Sequence, residues 1–352
     1  MNQPAQSSPA AARHKLDEAA LQAYLCEHIE GLHEISDLQR IKGGQSNPTY
    51  YLEAGGKTYV LRKKPPGKLL PTAHAIEREF RIVDALAGTD VPVPRVRHLC
   101  EDSSIVGTPF YVMDFIAGRT LRDPLLPGMS NDDRAAIYNS MSDVLARLHS
   151  VDWQSIGLEG FGKTGSYFAR QLARWSKQYE SSKTQDVPSM DKLIGWLGEN
   201  VPDDETTTIA HGDFRLENLL VDSEKPEVVA ILDWELSTLG HPMADLAFNC
   251  MTYYLPCDSD IAPGFVGTDI EALGIPSEEE YVAAYCRRTG SDVARDWTFY
   301  VAFSLFRIAA IQQGIYARAL AGSSSSDHAL KFGDMFAFVA EQGWKQVEAR
   351  AG

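Results

Sequence analysis

The chain has 352 residues, 44% of them hydrophobic and 23% charged, with a formal net charge of −15 and a mean hydropathy of −0.23. That length can bury a large core and points to two domains or one two-lobed unit. The acid excess argues against a nucleic-acid-binding surface, which needs clustered Lys and Arg, and no apolar run approaches the roughly eighteen residues of a membrane helix. Five cysteines, at positions 26, 100, 250, 257 and 286, form no Cys-x-x-Cys pair. An odd count without metal spacing implies reduced thiols, each a small buried hydrophobe, in a cytoplasmic protein.

Residues 1–15 lack an apolar h-region and read as a disordered tail rather than a secretory signal. Leu21, Leu25 and Ile29 then set a helical period over 16–29. Leu38–Ile41, Tyr50–Glu53 and Tyr59–Arg62 are short strand candidates, and Gly43-Gly44 and Gly55-Gly56 separate them, which predicts an antiparallel meander. Alternation puts Val60 and Arg62 on one face of the third strand, with Leu61 and Lys63 on the other. Read blandly, Arg62 is a surface residue on a basic strand end beside Lys63 and Lys64. Pro65–Pro71 breaks the strand. Thr72 caps a helix with the stripe Ile76, Phe80, Val83 and Ala87, which also carries Glu77 and Glu79. An apolar strand, Pro109–Phe115, follows and stops at Ile116-Ala117-Gly118.

Ser130-Asn131-Asp132-Asp133 is a capping box before a helix whose Ile137, Met141, Val144, Leu145 and Leu148 face a core. Residues 153–205 mix aromatic and polar residues in helices and loops. Ser277–Glu280 caps another helix that ends near Gly290. A long helix over about 296–320 sets Arg307, Ile311, Gly314 and Arg318 on one face. Ser323–Ser326 is a short loop, and a last amphipathic helix runs over about 327–350. His211 and His241 have no zinc spacing with other ligands.

The chemistry concentrates in His211-Gly-Asp-Phe-Arg-Leu-Glu-Asn218 and the segment after it. Asp213 and Asn218 share a short loop. A strand over 219–222, a turn over 223–226 and a second strand over 228–232 bring Asp233 back beside them. Each piece alone is ordinary: a turn residue, a local cap, a solvated strand end. Together they supply what phosphoryl transfer needs, a base for a hydroxyl and oxygen ligands for hard Mg²⁺. This order of loop, Asp, Asn, hairpin and Asp resembles the catalytic loop and metal-binding segment of protein kinases. The His-Gly-Asp opening resembles the aminoglycoside phosphotransferase and choline kinase superfamily. Tyr59–Gly67, Leu232–Gly240 and Phe306–Tyr316 are most similar to the kinase-like domain of bifunctional acyl-CoA dehydrogenase proteins, and the resemblance covers roughly residues 38–320.

The resemblance implies an α+β, protein-kinase-like two-lobed fold. A small antiparallel β-rich N-lobe would span 16–116 and a larger, mainly helical C-lobe 117–352, with ATP and Mg²⁺ between them. It makes Asp213 the residue that orients the acceptor hydroxyl and takes its proton, and Asn218 and Asp233 the magnesium ligands. Arg215 becomes a γ-phosphate contact. Gly43, Gly44, Ser46, Asn47 and Thr49 would form the phosphate-covering turn. Val60 covers adenine, while Arg62, standing where kinases carry Lys, reaches the phosphates from a position set by Glu79. Met113 backs the adenine pocket, and backbone groups from Asp114 to Ile116 hydrogen-bond the base. Asp245 braces the catalytic loop. For Arg307, substrate contact and a buried ion pair with a nearby acid weigh equally.

The implied partner is a small molecule bearing a hydroxyl, of hydroxyacyl-CoA type, with no nucleic acid or membrane and an open oligomeric state. The rivals are a nucleotide-binding homologue without activity, prompted by Arg62, and an aminoglycoside or amino-alcohol kinase. A protein kinase is disfavoured, because His-Arg-Asp is missing and nothing like Ala-Pro-Glu follows Asp233 in the expected place.

Overall fold

The computed structural model describes residues 16–41, 47–67, 75–292, 295–322 and 329–351. The Gly43, Gly44 and Ser46 turn, the Thr72 cap, the 1–15 tail and the Ser323–Ser326 loop lie outside them. The chain divides into two compact units, Met1–Ala117 with Asp233–Glu235, and Gly118–Leu232 with Leu236–Gly352.

The first unit starts with α1 (Glu18–His28), capped by the Asp17 carboxylate on the Ala20 N–H. The strands β1 (Ile35–Arg40), β2 (Thr49–Ala54) and β3 (Lys57–Lys63) follow. Next come α2 (Ile76–Leu86), β4 (Val96–Cys100), the short α3 (Ser103–Val106) and β5 (Phe110–Asp114). The strands form one five-stranded antiparallel sheet in the order β1-β2-β3-β5-β4. One face buries Leu52, Leu61, Phe110 and Val112 against Leu21 and Leu25 of α1. Strand alternation turns Val60 and Arg62 to the opposite face, where their register partners on β5 are Met113 and Tyr111.

Two expectations need correction here. The buried stripe of α2 is Ile76, Glu79, Ile82, Val83 and Leu86, not one through Phe80 and Ala87. The helix turns an acid inward because a cation waits for it there, as described below. Lys63 is no surface lysine either. It is buried, and its Nζ donates to the Val106 carbonyl at 2.8 Å.

The second unit opens with β6 (Arg119–Thr120) and the 20-residue α4 (Asn131–Ser150). Ser130 Oγ accepts from the Asp133 N–H, and Ile137, Met141, Val144, Leu145 and Leu148 are buried as their spacing predicts. After α5 (Tyr167–Ser182) and α6 (Pro188–Glu199) come β7 (Thr208–Ala210), β8 (Leu219–Val221), β9 (Val228–Ile231) and β10 (Thr238–Gly240). β6, β8 and β9 make one small sheet and β7 pairs with β10. Then α7 (Met243–Asn249), α8 (Glu278–Thr289), α9 (Trp297–Leu320) and α10 (Phe332–Ala351) complete it. Ser277 and Glu280 form a full capping box, and Gly290 ends α8 in the left-handed region. The 24-residue α9 runs through the middle of the unit and packs against α5, α6, α7 and α10.

No helix among the described residues is long and apolar enough to cross a membrane. None of the five cysteines is joined in a disulfide; Cys100 and Cys250 are buried, Cys257 and Cys286 partly so, and Cys26 is exposed. The expectation of five buried hydrophobes therefore fails at Cys26, whose thiol donates to the His33 carbonyl.

Candidate active site

In the second unit, the loop between β7 and β8 is held by its backbone. Asp245, fully buried on α7, accepts the N–H of His211 at 2.6 Å and of Gly212 at 2.8 Å, one on each carboxylate oxygen. His149 Nε2 lies 3.4 Å from the same group. Burial pushes the Asp245 carboxyl up, but the His149 ring, His211 and the Gly212 N–H outweigh it, so its pKa sits below the usual carboxylate range. Gly212 adopts φ +85°, and a Cβ there would stand 2.6 Å from the Leu236 carbonyl oxygen, so only glycine fits. The Gly212 carbonyl in turn accepts from Arg307 Nη2 at 2.6 Å.

This loop presents Asp213. Asn218 Nδ2 donates to both the Asp213 carbonyl and its carboxylate Oδ2, each at 2.8 Å. The amide nitrogen is thereby committed, which leaves the Asn218 oxygen as the atom for a cation. His211 Nδ1 accepts the Asp213 N–H at 3.2 Å, so Nε2 carries the proton and donates to the Leu232 carbonyl at 2.9 Å. Leu232 N–H donates to the Asn218 carbonyl at 2.8 Å. The residue preceding Asp233 is thus tied to both ends of the catalytic loop. Arg215 is half-exposed and splits between Asp213, with Nε–Oδ1 at 3.4 Å, and Glu217 at 3.0 Å. His241 pairs with Asp204 at 3.1 Å and caps the Met243 N–H.

In the first unit, Arg62 is the centre of a cluster. Its Nε lies 2.9 Å from Glu79 Oε2, and its Nη2 lies 3.1 Å from Asp233 Oδ1. Glu79 is 1% exposed and also accepts from Asn47 Nδ2 at 2.5 Å and the Tyr111 hydroxyl at 3.2 Å. Burial works against the Arg62 charge, but Tyr111, Glu79 and Asp233 more than offset it and hold the guanidinium pKa above its ordinary value. Asp233 itself has φ +63°, a left-handed backbone rare for a residue with a side chain.

The structure gives partners to three groups assigned from the sequence. One amide hydrogen of Asn47 goes to Glu79. The Asp114 N–H is spent on the Arg95 carbonyl at 2.8 Å and its carboxylate on Arg97 at 2.6 Å, while Phe115 N–H donates to Thr58. Of the expected base-contacting N–H groups only that of the half-buried Ile116 stands clear of these bonds. Arg307 pairs with no acid among the described residues. Its guanidinium binds the Gly212 carbonyl and lies over the rings of Phe248, at 5.1 Å, and Trp175, at 5.8 Å.

A cavity of about 450 Å³ in the second unit is lined by Asp213 and Arg215 together with Arg122 and Arg307. The rest of its lining is mainly apolar and includes Ile308, Ile311 and Ile315 of α9. Sequence reasoning missed this, because isoleucines at 308, 311 and 315 have the spacing of an ordinary core stripe. Gln312, also missed, carried no signal at all.

A model of the phosphotransferase enzyme family matches residues 37–297, most of the chain and all of the loops just described, and ends at the first residue of α9. The chain belongs to this family. Mouse acyl-CoA dehydrogenase family member 10 is 50% identical to this chain over 331 residues, covering 94% of this chain and 31% of the mouse protein. The chain therefore spans about a third of the length of that relative. A candidate aminoglycoside phosphotransferase from Ralstonia eutropha, solved as a crystal structure, is 47% identical with a TM-score of 0.88 over 95% of this chain and 99% of that one. Aminoglycoside phosphotransferase APH(4)-Ia, solved with ADP and hygromycin B, superposes with a TM-score of 0.61 at 18% identity, over 93% of this chain and 98% of that one. The family resemblance and the α+β, kinase-like fold expected from the sequence are both borne out.

Proposed function

We propose that this chain moves the γ-phosphate of ATP to a hydroxyl of a small molecule, with Mg²⁺ as cofactor. The observation that carries this reading is Asp213, a carboxylate on a loop pinned by Asp245, Asn218 and Arg307. Such rigidity suits a base that must hold a hydroxyl in one orientation. Asp213 takes the hydroxyl proton as the oxygen attacks the γ-phosphorus, and ADP departs with the electrons of the broken P–O bond. Arg62, kept charged and aimed by Glu79, binds phosphate oxygens, and Val60 and Met113 on the same sheet face pack against the base, with the Ile116 N–H as a further contact.

The donor set fits the metal: an amide oxygen from Asn218 and a carboxylate from Asp233 are hard ligands of the kind Mg²⁺ takes beside phosphate oxygens. When bound, Mg²⁺ would neutralise phosphate charge. Arg215, swung from Glu217, is the side chain for the γ-phosphate. Five cysteines outside any disulfide suit a cytoplasmic setting.

The acceptor we favour is of hydroxyacyl-CoA type. Support comes from the mainly apolar cavity that Asp213 lines, from the arginines Arg122, Arg215 and Arg307 in its wall, and from a relative named as an acyl-CoA dehydrogenase.

Asp213→Asn tests the reading. The positioned base contributes on the order of 10²–10⁴ in rate, so the variant should lose that much phosphoryl transfer while ATP affinity measured by calorimetry stays within a few-fold. Equal, negligible transfer by both proteins to every hydroxyl compound would leave a nucleotide-binding protein without activity.

A further inference from the structure

The breaks in the burial of α9 all fall in one place. From Phe299 to Gly314 every residue is buried except Ile308 and Ile311, and the next half-buried residue is Ile315. All three isoleucines line the cavity that Asp213 also lines. Where a helix opens to solvent, the uncovered positions are normally polar. Here they are aliphatic, and the surface they leave uncovered is cavity wall. Such a wall gains free energy when an apolar ligand covers it.

The stripe has a direction. Arg307 Nη2 holds the Gly212 carbonyl at 2.6 Å, and helical side chains lean toward the helix N-terminus. The loop that carries Asp213 therefore sits at the N-terminal end of the stripe. At about 1.5 Å per residue, Ile311 lies about 6 Å and Ile315 about 12 Å beyond Arg307 along the axis. α10 runs antiparallel to α9: a Cβ on Gly343 would stand 3.2 Å from the Leu305 Cβ, and one on Gly333 2.7 Å from the Tyr316 ring. Phe332, beside Gly333, is thereby held at the Ile315 end, and it lines the cavity as well.

We infer that Ile308, Ile311 and Ile315 gauge the length of an aliphatic tail on the acceptor, with Phe332 as the stop. The hydroxyl stays at Asp213 while the tail lies along the stripe. The inference rests on the proposed reading that this cavity holds the phosphate acceptor, and it adds how long that acceptor is. With C–C bonds of about 1.5 Å, an extended chain advances roughly 1.3 Å per carbon, so 12 Å takes about nine carbons beyond the hydroxyl. A shorter tail leaves wall uncovered. A longer one meets Phe332 and must fold back or displace it. Ile315 and Phe332 thus determine specificity without touching the reacting atoms.

The experiment titrates 3-hydroxyalkanoates of six to sixteen carbons, in steps of two, into the full chain without nucleotide, followed by calorimetry. Wild-type affinity should rise about ten-fold for each added pair of carbons. The rise should stop at about the twelve-carbon acid, whose tail beyond the hydroxyl is about nine carbons. Ile315→Ala and Phe332→Ala, which open the far end, should move the break about two carbons longer. Ile311→Phe, which fills the channel half-way, should move it to about the eight-carbon acid. These opposite displacements guard against a folding artefact, since a misfolded variant weakens every length alike. A wild type that binds none of the acids overturns the inference, and so does affinity that is flat or still climbing at sixteen carbons. A break that stays put in Ile315→Ala and Ile311→Phe overturns it too. Because no phosphoryl transfer is measured, failure here stays separate from failure of the Asp213 assay.

Discussion

Asp245→Asn isolates what the buried carboxylate contributes to the active-site loop. Its two oxygens each serve one backbone N–H, at 2.6 Å from His211 and 2.8 Å from Gly212, and the group has no exposure to water. Asparagine keeps one oxygen and sets an –NH₂ against the other donor. One charge-assisted bond, about 1.5–3 kcal/mol, disappears, and an orphaned buried N–H adds about 1–3 kcal/mol. The expected loss of stability is therefore roughly 3–5 kcal/mol at neutral pH, read from urea titrations followed by far-UV circular dichroism. The pH dependence gives an independent check. Since the folded carboxyl titrates below its unfolded value, its stabilisation is complete above the ordinary carboxylate pKa of about 3.9 and is lost as pH falls through the lower folded value. The gap between wild type and variant should stay constant from neutral pH to about 5 and close only in stronger acid. A loss under about 1 kcal/mol, or a gap that widens in acid, would refute the reasoning.

Three further substitutions rank the cations of β3. Arg62→Ala strands Glu79 in a site of 1% exposure and should cost about 3–5 kcal/mol as well as ATP affinity. Arg62→Lys, which keeps the charge but not the fork, should fall between; calorimetry with ATP and a thermal melt decide, and an unchanged melting temperature in Arg62→Ala would count against the cluster. Lys63→Ala removes a buried stem and strands the Val106 carbonyl, so it should lower stability by about 2–3 kcal/mol without altering ATP affinity. A melt matching wild type would mean that Lys63 is the surface residue its sequence position suggests.

Much of the site was readable from local pattern. The β8–β9 hairpin needs only two short apolar runs around a turn, and the Asp222 side chain that closes it on the N–H groups of Glu224 and Lys225 is itself a neighbour in sequence. Strand alternation has a period of two, so the shared face of Val60 and Arg62 followed without knowledge of any other element. The Ser130 N-cap of α4, the capping box before α8 and the run of α9 are equally short-range. Glu79 as the partner of Arg62 came from resemblance, and the pair stands at 2.9 Å.

Other features depended on residues far apart in sequence. Which face of α2 turns inward was decided by Arg62, because pairing a buried carboxylate with a guanidinium outweighs keeping Phe80 and Ala87 in an apolar stripe. That Asn47 also meets Glu79, 32 positions away and 2.5 Å from its amide, could not be read from the turn alone. Whether Arg307 meets an acid, a carbonyl or a ligand is invisible on α9 alone, for its partner Gly212 is 95 positions distant. Helical spacing reports which residues share a face, and it is silent on whether that face meets a packed neighbour or a cavity. Ile308, Ile311 and Ile315 read the same in both cases, and only the packing of the other elements around α9 left the space that Gln312 borders.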